Sequence, residues 1–128
     1  MTSAAGGRAE VISAVPDTPL GRRVAAYLLA RDCAARPART SDEVHRLAAR
    51  RRPAGVVLPV GLGPESGWLT CAKLVCSRPG LAVVLVAPEV TPKLRAFARF
   101  AGAAALLPES AAPAALAEVF PLPRPGGG

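Results

Sequence analysis

The sequence is poor in the residues that most often carry out chemistry. Among 128 residues it has one histidine, three cysteines, one tryptophan, one tyrosine and three phenylalanines. His45 stands among charged neighbours, with no serine and acid at a spacing that suits a catalytic triad, so we interpret it as solvated. Cys71 and Cys76 lie five positions apart, on different faces of one predicted helix, so we expect core thiols rather than a redox pair. We therefore expect no enzyme activity, no metal and no cofactor.

Long apolar runs and signal segments are also missing. No run approaches the roughly 18 residues that a membrane-spanning helix needs, and Met1–Arg8 lacks the apolar core of a secretory signal. Cys33, Cys71 and Cys76 show no metal-type pairing, which favours reduced thiols. We expect a cytoplasmic protein with no membrane partner.

The charge is unbalanced toward cations. Sixteen basic residues face nine acidic ones, the net charge is +7, and the sequence pI is about 10.7. Such a balance suggests nucleic acid as a partner. However, the abundance of arginine, alanine, proline and glycine is also typical of a GC-rich genome, which raises the pI without selection for binding. No helix-turn-helix pair or aromatic-basic platform is visible. Direct nucleic-acid binding through the basic residues is therefore an alternative, and we do not expect it of this domain alone.

One buried strand organises the chain. The short apolar run Val56–Leu58 has β-branched residues and predicts the central strand of a parallel sheet. A glycine-rich loop follows it, as far as Gly67. Ligands of open α/β sheets bind at the carboxyl ends of strands, and the residue that stands there is Pro59, which has no functional group.

The rest of the chain alternates strand and helix five times, which predicts a parallel sheet covered on both faces. The predicted strands are Glu10–Val15, an uncertain segment within Cys33–Thr40, Val56–Leu58, Leu81–Ala87 and Ala103–Leu107. The predicted helices are Leu20–Arg31, Ser41–Arg52, Gly67–Ser77, Pro92–Gly102 and Ala112–Phe120. Pro37 would confine its strand to a sheet edge. We expect one domain over residues 9–120, a disordered tail at 1–8 and a Pro/Gly-rich tail or linker at 121–128.

Local signals refine the helices. Asp17 or Thr18 is the expected cap of the first helix and Ser41 that of the second, while Gly102 ends the fourth. Two apolar stripes are predicted: Trp68, Cys71, Ala72 and Val75 on the third helix, and Leu94, Phe97, Ala98 and Ala101 on the fourth. Glu65, in the glycine-rich loop, is expected to be solvated.

These features resemble the receiver domain of two-component response regulators, over about residues 10–120. The segment Gly102–Ser110 is similar to the family's Gly-Ala-x-x-aromatic-Leu-x-Lys-Pro ending. The distance from the central strand to Gly67 also fits the family's Asp…Asp-Gly loop. The resemblance implies a flavodoxin-like fold with five parallel strands in the order 2-1-3-4-5 and helices on both faces. It also implies that the Pro37 segment lies at an edge.

The resemblance assigns a chemical role to several positions, and this chain departs from most of them. Receivers use a carboxylate at the end of the central strand as phosphoryl acceptor, an acidic pair for Mg²⁺, a Thr or Ser, and a Lys. The corresponding residues here are Pro59 for the acceptor, Asp17 as the only acid of the pair, Ala87 for the hydroxyl and Glu109 for the lysine. This pattern is that of a degenerate phosphorylation site, and the chain looks like an atypical receiver, or pseudo-receiver.

The function that follows is phosphorylation-independent regulation through protein contact, in bacterial signalling or transcription control. By analogy with receivers, the fourth helix, fifth strand and fifth helix would bind an output domain or form a homodimer. The residues expected on that face are Lys93, Arg95, Arg99, Leu106 and Glu118. Another alternative is a flavodoxin-like domain that binds a small ligand, with an apolar pocket around Pro59 and Ala87 or with Gly61-Leu62-Gly63 as a weak phosphate loop.

Overall fold

A computed structural model describes residues 9–62 and 65–122 of the chain. The strands are β1 (Ala9–Ser13), β2 (Cys33–Pro37), β3 (Gly55–Pro59), β4 (Val83–Ala87) and β5 (Ala105–Pro108). The helices are α1 (Pro19–Ala30), α2 (Ser41–Arg51), α3 (Gly67–Ser77), α4 (Pro92–Ala101) and α5 (Ala112–Val119). The predicted tail at 1–8, most of the tail at 121–128, and Gly63 of the glycine motif lie outside the described residues. Within the described ranges, no helix has the length and apolarity needed to cross a membrane.

The strands form one parallel sheet in the order β2-β1-β3-β4-β5, with five helices around it, which confirms the predicted flavodoxin-like fold. β2 lies at an edge, and its last residue, Pro37, is in register with Ser13 of β1. An edge is where a strand tolerates a residue without an amide hydrogen. β3 lies between β1 and β4, and Val56, Val57 and Leu58 have no solvent exposure.

Alternation along each strand divides the core into two apolar layers. Val57, Val84 and Val86 pack beneath α1 and α5, whereas Val56, Leu58 and Leu85 pack beneath α2, α3 and α4. Full burial of each such side chain contributes roughly 1.5–3 kcal/mol. The two layers therefore hold the helices in place, and the carboxyl ends of the strands are left to form a crevice.

Four of the helices are capped at the N-terminus by a hydroxyl side chain. Thr18, Thr40, Ser66 and Thr91 each accept a hydrogen bond from the backbone N–H three residues later, at 3.1–3.2 Å. Of the two predicted caps of the first helix, Thr18 is confirmed and Asp17 is wrong. The prediction of Ser41 as the cap of the second helix is also wrong, because Thr40 has that role. In each case a threonine has the extended backbone that aims its hydroxyl at the free N–H groups of the first turn. Gly102 ends α4 with φ of 84°, as predicted.

The apolar stripes of α3 and α4 differ from the prediction. On the side of α3 that faces the sheet, Thr70 and Leu74 are among the buried residues. The predicted stripe residues Trp68 and Val75 are only partly buried. On α4 the side chain of Phe97 is 48% exposed. The reason is that α3 and α4 pack side by side, so that Trp68 and Val75 face the neighbouring helix instead of the sheet. Thr70 is tolerated in the core because its hydroxyl donates to Glu65 and lies within hydrogen-bond distance of the Ser66 carbonyl.

Candidate functional site

The candidate site is the crevice where the carboxyl ends of β1, β3, β4 and β5 meet. Two cavities open there, with volumes of about 440 Å³ and about 740 Å³. Both are lined by Val15, Pro16 and Pro59, so the loop between β1 and α1 separates them. Both volumes lie in the range of small-molecule sites.

The smaller cavity lies between the β1–α1 loop and the end of β5. Apolar side chains form most of its wall, and two charged residues, Arg23 and Glu109, lie at its rim. Its lining residues are Val15, Pro16, Thr18, Pro19, Leu20, Arg23, Pro59, Val86 and Glu109.

The larger cavity lies on the other side of the loop, between α1 and the ends of β2 and β3. Small side chains line it, among them Ala14, Ala25 and Ala38, together with Gly61. Its polar residues are Ser13, Asp17, Arg22 and Arg39. The arginines of this crevice were not predicted. Arg22 lies on α1, and Arg39 lies two residues after the end of β2, which is the one signal that could have indicated it.

Pro59 and Ala87 occupy the strand ends at which the resemblance assigns the acceptor and the hydroxyl. Pro59 is the last residue of β3 and lines both cavities. Ala87 is the last residue of β4, but it is 1% exposed and lines neither cavity. The prediction of an apolar pocket around Pro59 and Ala87 is therefore wrong for Ala87, which does not line either cavity. Side chains alternate along β4, so Val86 faces the smaller cavity and Ala87 faces the core beneath α2–α4.

Asp17 and Glu109 are the acidic residues of the crevice, and no third acid joins them to form a metal site. The side chain of Asp17 is 88% exposed and accepts a hydrogen bond from Arg22 Nε at 3.2 Å. Glu109 is exposed, and its backbone N–H donates to the Ala87 carbonyl at 3.0 Å. Within residues 9–62 and 65–122, no group of three His, Cys, Asp or Glu side chains could hold a metal ion.

A first charged cluster lies away from the crevice and was not predicted. Glu10, near the start of β1, accepts hydrogen bonds from Arg36 of β2 at 2.7 Å and from Arg51 of α2 at 2.9 and 3.0 Å. These hydrogen bonds lower the pKa of Glu10 from 4.5 to about 2. The cluster ties the edge strand and the end of α2 to β1.

A second charged cluster overturns two predictions of solvated side chains. Glu65 is only 18% exposed and accepts hydrogen bonds from Lys73 Nζ at 2.7 Å and Thr70 Oγ1 at 2.6 Å. His45 Nε2 is buried and lies 3.5 Å from Glu65 Oε2. The bonds from Lys73 and Thr70 lower the pKa of Glu65 to about 2. The cluster joins α2 to α3, and its members lie too far apart in sequence for a periodicity to reveal it.

The predicted interaction face is only partly exposed. Lys93, Arg95, Arg99 and Glu118 are exposed, but Leu106 is 7% exposed and packs in the core beneath α2–α4. Leu106 therefore cannot contact a partner, because its position on β5 turns it inward.

The cysteines divide between core and surface. Cys33 and Cys71 are buried, whereas Cys76 is exposed, so the expectation of a core thiol fails for Cys76. Burial raises the pKa of Cys71 to about 11, which makes it a poor nucleophile.

Comparison with solved structures identifies the fold. A receiver domain protein from Methanospirillum hungatei superposes with a TM-score of 0.75 at 19% identity, over 87% of this chain and 89% of that one. The BeF3-activated N-terminal receiver domain of RstA from Klebsiella pneumoniae gives 0.73 at 24% identity, over 85% and 92%. A response regulator from Burkholderia pseudomallei, solved with a phosphorylated aspartic acid, gives 0.75 at 19% identity, over 88% and 66%.

Comparisons of sequence add nothing to this result. No protein-family model matches the chain, and no curated protein sequence matches it. The similarity is thus one of three-dimensional structure, at identities below 25%. The chain has the CheY-like fold of response-regulator receiver domains.

Proposed function

We propose that this chain is a pseudo-receiver, a regulatory domain that acts through protein contact and without phosphoryl transfer. The observation that carries the proposal is Pro59 at the end of β3. A phosphoryl group is accepted by a nucleophilic carboxylate, and the proline ring offers neither a nucleophile nor a hydrogen-bond donor.

The other residues of the crevice support the same conclusion. Mg²⁺ is bound by carboxylates together with phosphate oxygens, and Asp17 is engaged with Arg22 at the protein surface. Glu109 would repel a phosphoryl group by like charge where a lysine would attract it. The similar protein from Burkholderia pseudomallei holds a phosphorylated aspartic acid and a calcium ion. Among the described residues of this chain, Asp17 and Glu109 are the acids that line the crevice cavities, and neither stands at the end of β3.

Contact with another protein is the remaining way for such a domain to regulate. Lys93, Arg95 and Arg99 are exposed on α4, and Glu118 is exposed on α5. We propose that this surface binds an output domain, a separate protein of a bacterial signalling or transcription-control system, or a second copy of the chain. Cys33, Cys71 and Cys76 form no disulfide with one another, which favours a reducing compartment, and so a cytoplasmic location.

Binding of Mg²⁺ and beryllium fluoride, a phosphoryl mimic, tests the proposal. Amide resonances of Val60, Ala87 and Glu109 would report on the crevice in a titration of the isotope-labelled protein. We expect no saturable shifts. A receiver domain with its acceptor aspartate serves as the positive control. Saturable, Mg²⁺-dependent shifts at these amides would contradict the proposal.

Binding of a small ligand is the second candidate function, and the crevice cavity of about 740 Å³, lined by Arg22 and Arg39, is the observation that favours it. Gly61 lines this cavity, and a Cβ atom built on it meets nothing within 4 Å. Gly61→Leu should therefore fill part of the cavity at little cost to folding. Gly80→Leu is the matched control, since Gly80 is equally open but lies in the loop between α3 and β4. If small aromatic carboxylates bind the wild type and the control but not Gly61→Leu, the crevice is a ligand site.

A further inference from the structure

Large apolar side chains are exposed on two neighbouring helices. Phe100 of α4 is 93% exposed, Phe97 of α4 is 48% exposed and Leu69 of α3 is 48% exposed. Together with Trp68 we call them the apolar patch. Contiguous exposed apolar surface is rare on monomers and marks sites of interaction. Leu29, which is 59% exposed, lies apart from them on α1 and the opposite face of the sheet.

The apolar patch is held in shape by the packing of α3 against α4. The rings of Trp68 and Phe97 have centroids 5.9 Å apart and are inclined by 56°. The thiol of Cys71 on α3 lies 3.6 Å from the Ala101 carbonyl of α4, which is a second contact between the two helices, nearer the end of α4. Phe100 follows Phe97 by three positions and so lies about one turn beyond it on the same side of α4. A partner would meet a preformed surface and would have little to order on binding.

The charged residues of α3 and α4 are all basic. Neither α3 nor α4 contains an acidic residue. Lys93, four positions before Phe97, lies beside the patch, while Arg95 and Arg99 lie on the other exposed flank of α4. None of these three cations forms an ion pair with a described residue. Lys73 of α3 is already neutralised by Glu65.

We propose that the apolar patch docks an acidic amphipathic helix of a partner protein. The apolar side of that helix would cover Phe97, Phe100 and Leu69, and its carboxylates would pair with Lys93 and Arg99. This inference rests on the proposed function and names the partner's chemistry. A second copy of this chain fits less well, because it would bring the same unpaired cations and a net charge of +7 to the interface.

Nucleic acid and anionic membranes also attract cations, but the apolar patch suits them less. Bases stack on open ring faces, and Phe100 offers one, but the Phe97 ring is packed at an incline against Trp68 and is only 48% exposed. A membrane-binding helix places basic residues along one polar face opposite its apolar side. In α4 the side chains of Leu94, Ala98 and Ala101 pack on the core of the domain, so Phe97 and Phe100 alone would represent this helix in a bilayer. Both polyanions therefore serve as competing outcomes in the test.

The probe is a synthetic peptide with leucine at the a and d positions of a heptad repeat and glutamate at the others. Trp68 is the only tryptophan of the chain, so its fluorescence reports binding directly. We expect a saturable change with the acidic peptide and none with a peptide in which lysine replaces glutamate. Phe100→Ala should weaken binding about tenfold, as loss of a central aromatic contact does. Lys93→Glu should also weaken it.

Leu29→Ala is the matched control for Phe100→Ala, because both remove an exposed apolar side chain that the fold does not need. Unchanged circular dichroism of Phe100→Ala would show that its fold is intact. Three results would overturn the inference. The acidic peptide could fail to bind, or it could bind Phe100→Ala and wild type with equal affinity. Duplex DNA or phosphatidylserine vesicles could also bind more strongly than the peptide, in a manner that depends on Phe100. Each of these results leaves the proposed function standing, since that fails only if Mg²⁺ and the phosphoryl mimic bind the crevice.

Discussion

Two pairs of acidic residues in this protein differ in how they are held. Asp17 and Glu109, in the crevice, are exposed, and Asp17 has one partner in Arg22. Glu10 and Glu65, outside it, are each 18% exposed and each accept hydrogen bonds from two partners. In a phosphoacceptor domain the crevice would hold the most constrained carboxylates. Here the constrained carboxylates join elements of the fold to one another, which indicates that acidic groups are used for stability.

The strongest test of this comparison is the response of the whole protein to acid. The pKa values of Glu10 and Glu65 are lowered to about 2 in the folded protein, from an ordinary value of 4.5. Carboxylates with a lowered pKa stabilise the fold fully above the unfolded value and lose that contribution as pH falls through the folded value. The free energy of unfolding should therefore decrease between about pH 4.5 and pH 2. The double variant Glu10→Gln, Glu65→Gln should show a much flatter profile in urea titrations, and an unchanged slope would refute the assignment.

Removal of Glu65 alone should be the largest single effect. Glu65→Ala takes away the acceptor of Lys73 and Thr70 and leaves the buried His45 Nε2 without its neighbouring carboxylate. We expect a loss of about 2 kcal/mol in the free energy of unfolding. Glu118→Ala is the control, because Glu118 is exposed and forms no ion pair with a described residue. Equal losses for the two variants would mean that the Glu65 cluster contributes nothing.

Removal of Glu10 should lower the free energy of unfolding by less than removal of Glu65 does. Glu10→Ala breaks the hydrogen bonds from Arg36 and Arg51, whose side chains are each 40% exposed and can be solvated instead. We expect a loss of about 1 kcal/mol. If Arg51→Ala in the same background produces a further large loss, Arg51 has a role other than binding Glu10.

Replacement of Asp17, an acid of the crevice, should have the smallest effect on the free energy of unfolding. Asp17→Asn removes one partner of an ion pair in which Asp17 and Arg22 are 88% and 69% exposed. We expect a change within about 0.5 kcal/mol, because exposed ion pairs contribute little. A loss as large as that of Glu65→Ala would place Asp17 among the structural acids and remove the distinction between the two groups.

The fold followed from patterns that are local in sequence. The apolar run at Val56–Leu58 and the break at Pro37 were enough to predict a central strand and an edge strand, because burial and the missing amide hydrogen act on single segments. The cluster of Glu10 could not be predicted, since Arg36 and Arg51 come from other elements. The approach of His45 on α2 to Glu65 could not be predicted for the same reason. The same holds for Leu106, whose inward direction depends on the register of β5 with β4.

The crevice was predicted at the level of its position and composition but not of its shape. Pro59 lies at its centre as the position of the strand end implied. Ala87 is turned away by strand alternation. Arg23 lines the smaller cavity from α1, and Arg39 lines the larger one from the loop after β2, where no periodicity indicates its direction. The apolar patch was missed because Phe97 fits a core stripe by spacing, and only the packing of α3 against α4 leaves it half exposed.

The most direct test of the central claim is incubation of the wild-type protein with acetyl phosphate and Mg²⁺, followed by intact mass measurement. A receiver domain with its acceptor aspartate, treated in parallel, shows that the reaction conditions are adequate. Because β3 ends in Pro59 and no carboxylate stands there, we predict no species heavier by one phosphoryl group. An Mg²⁺-dependent phosphoryl adduct on a carboxylate of the crevice would contradict the account.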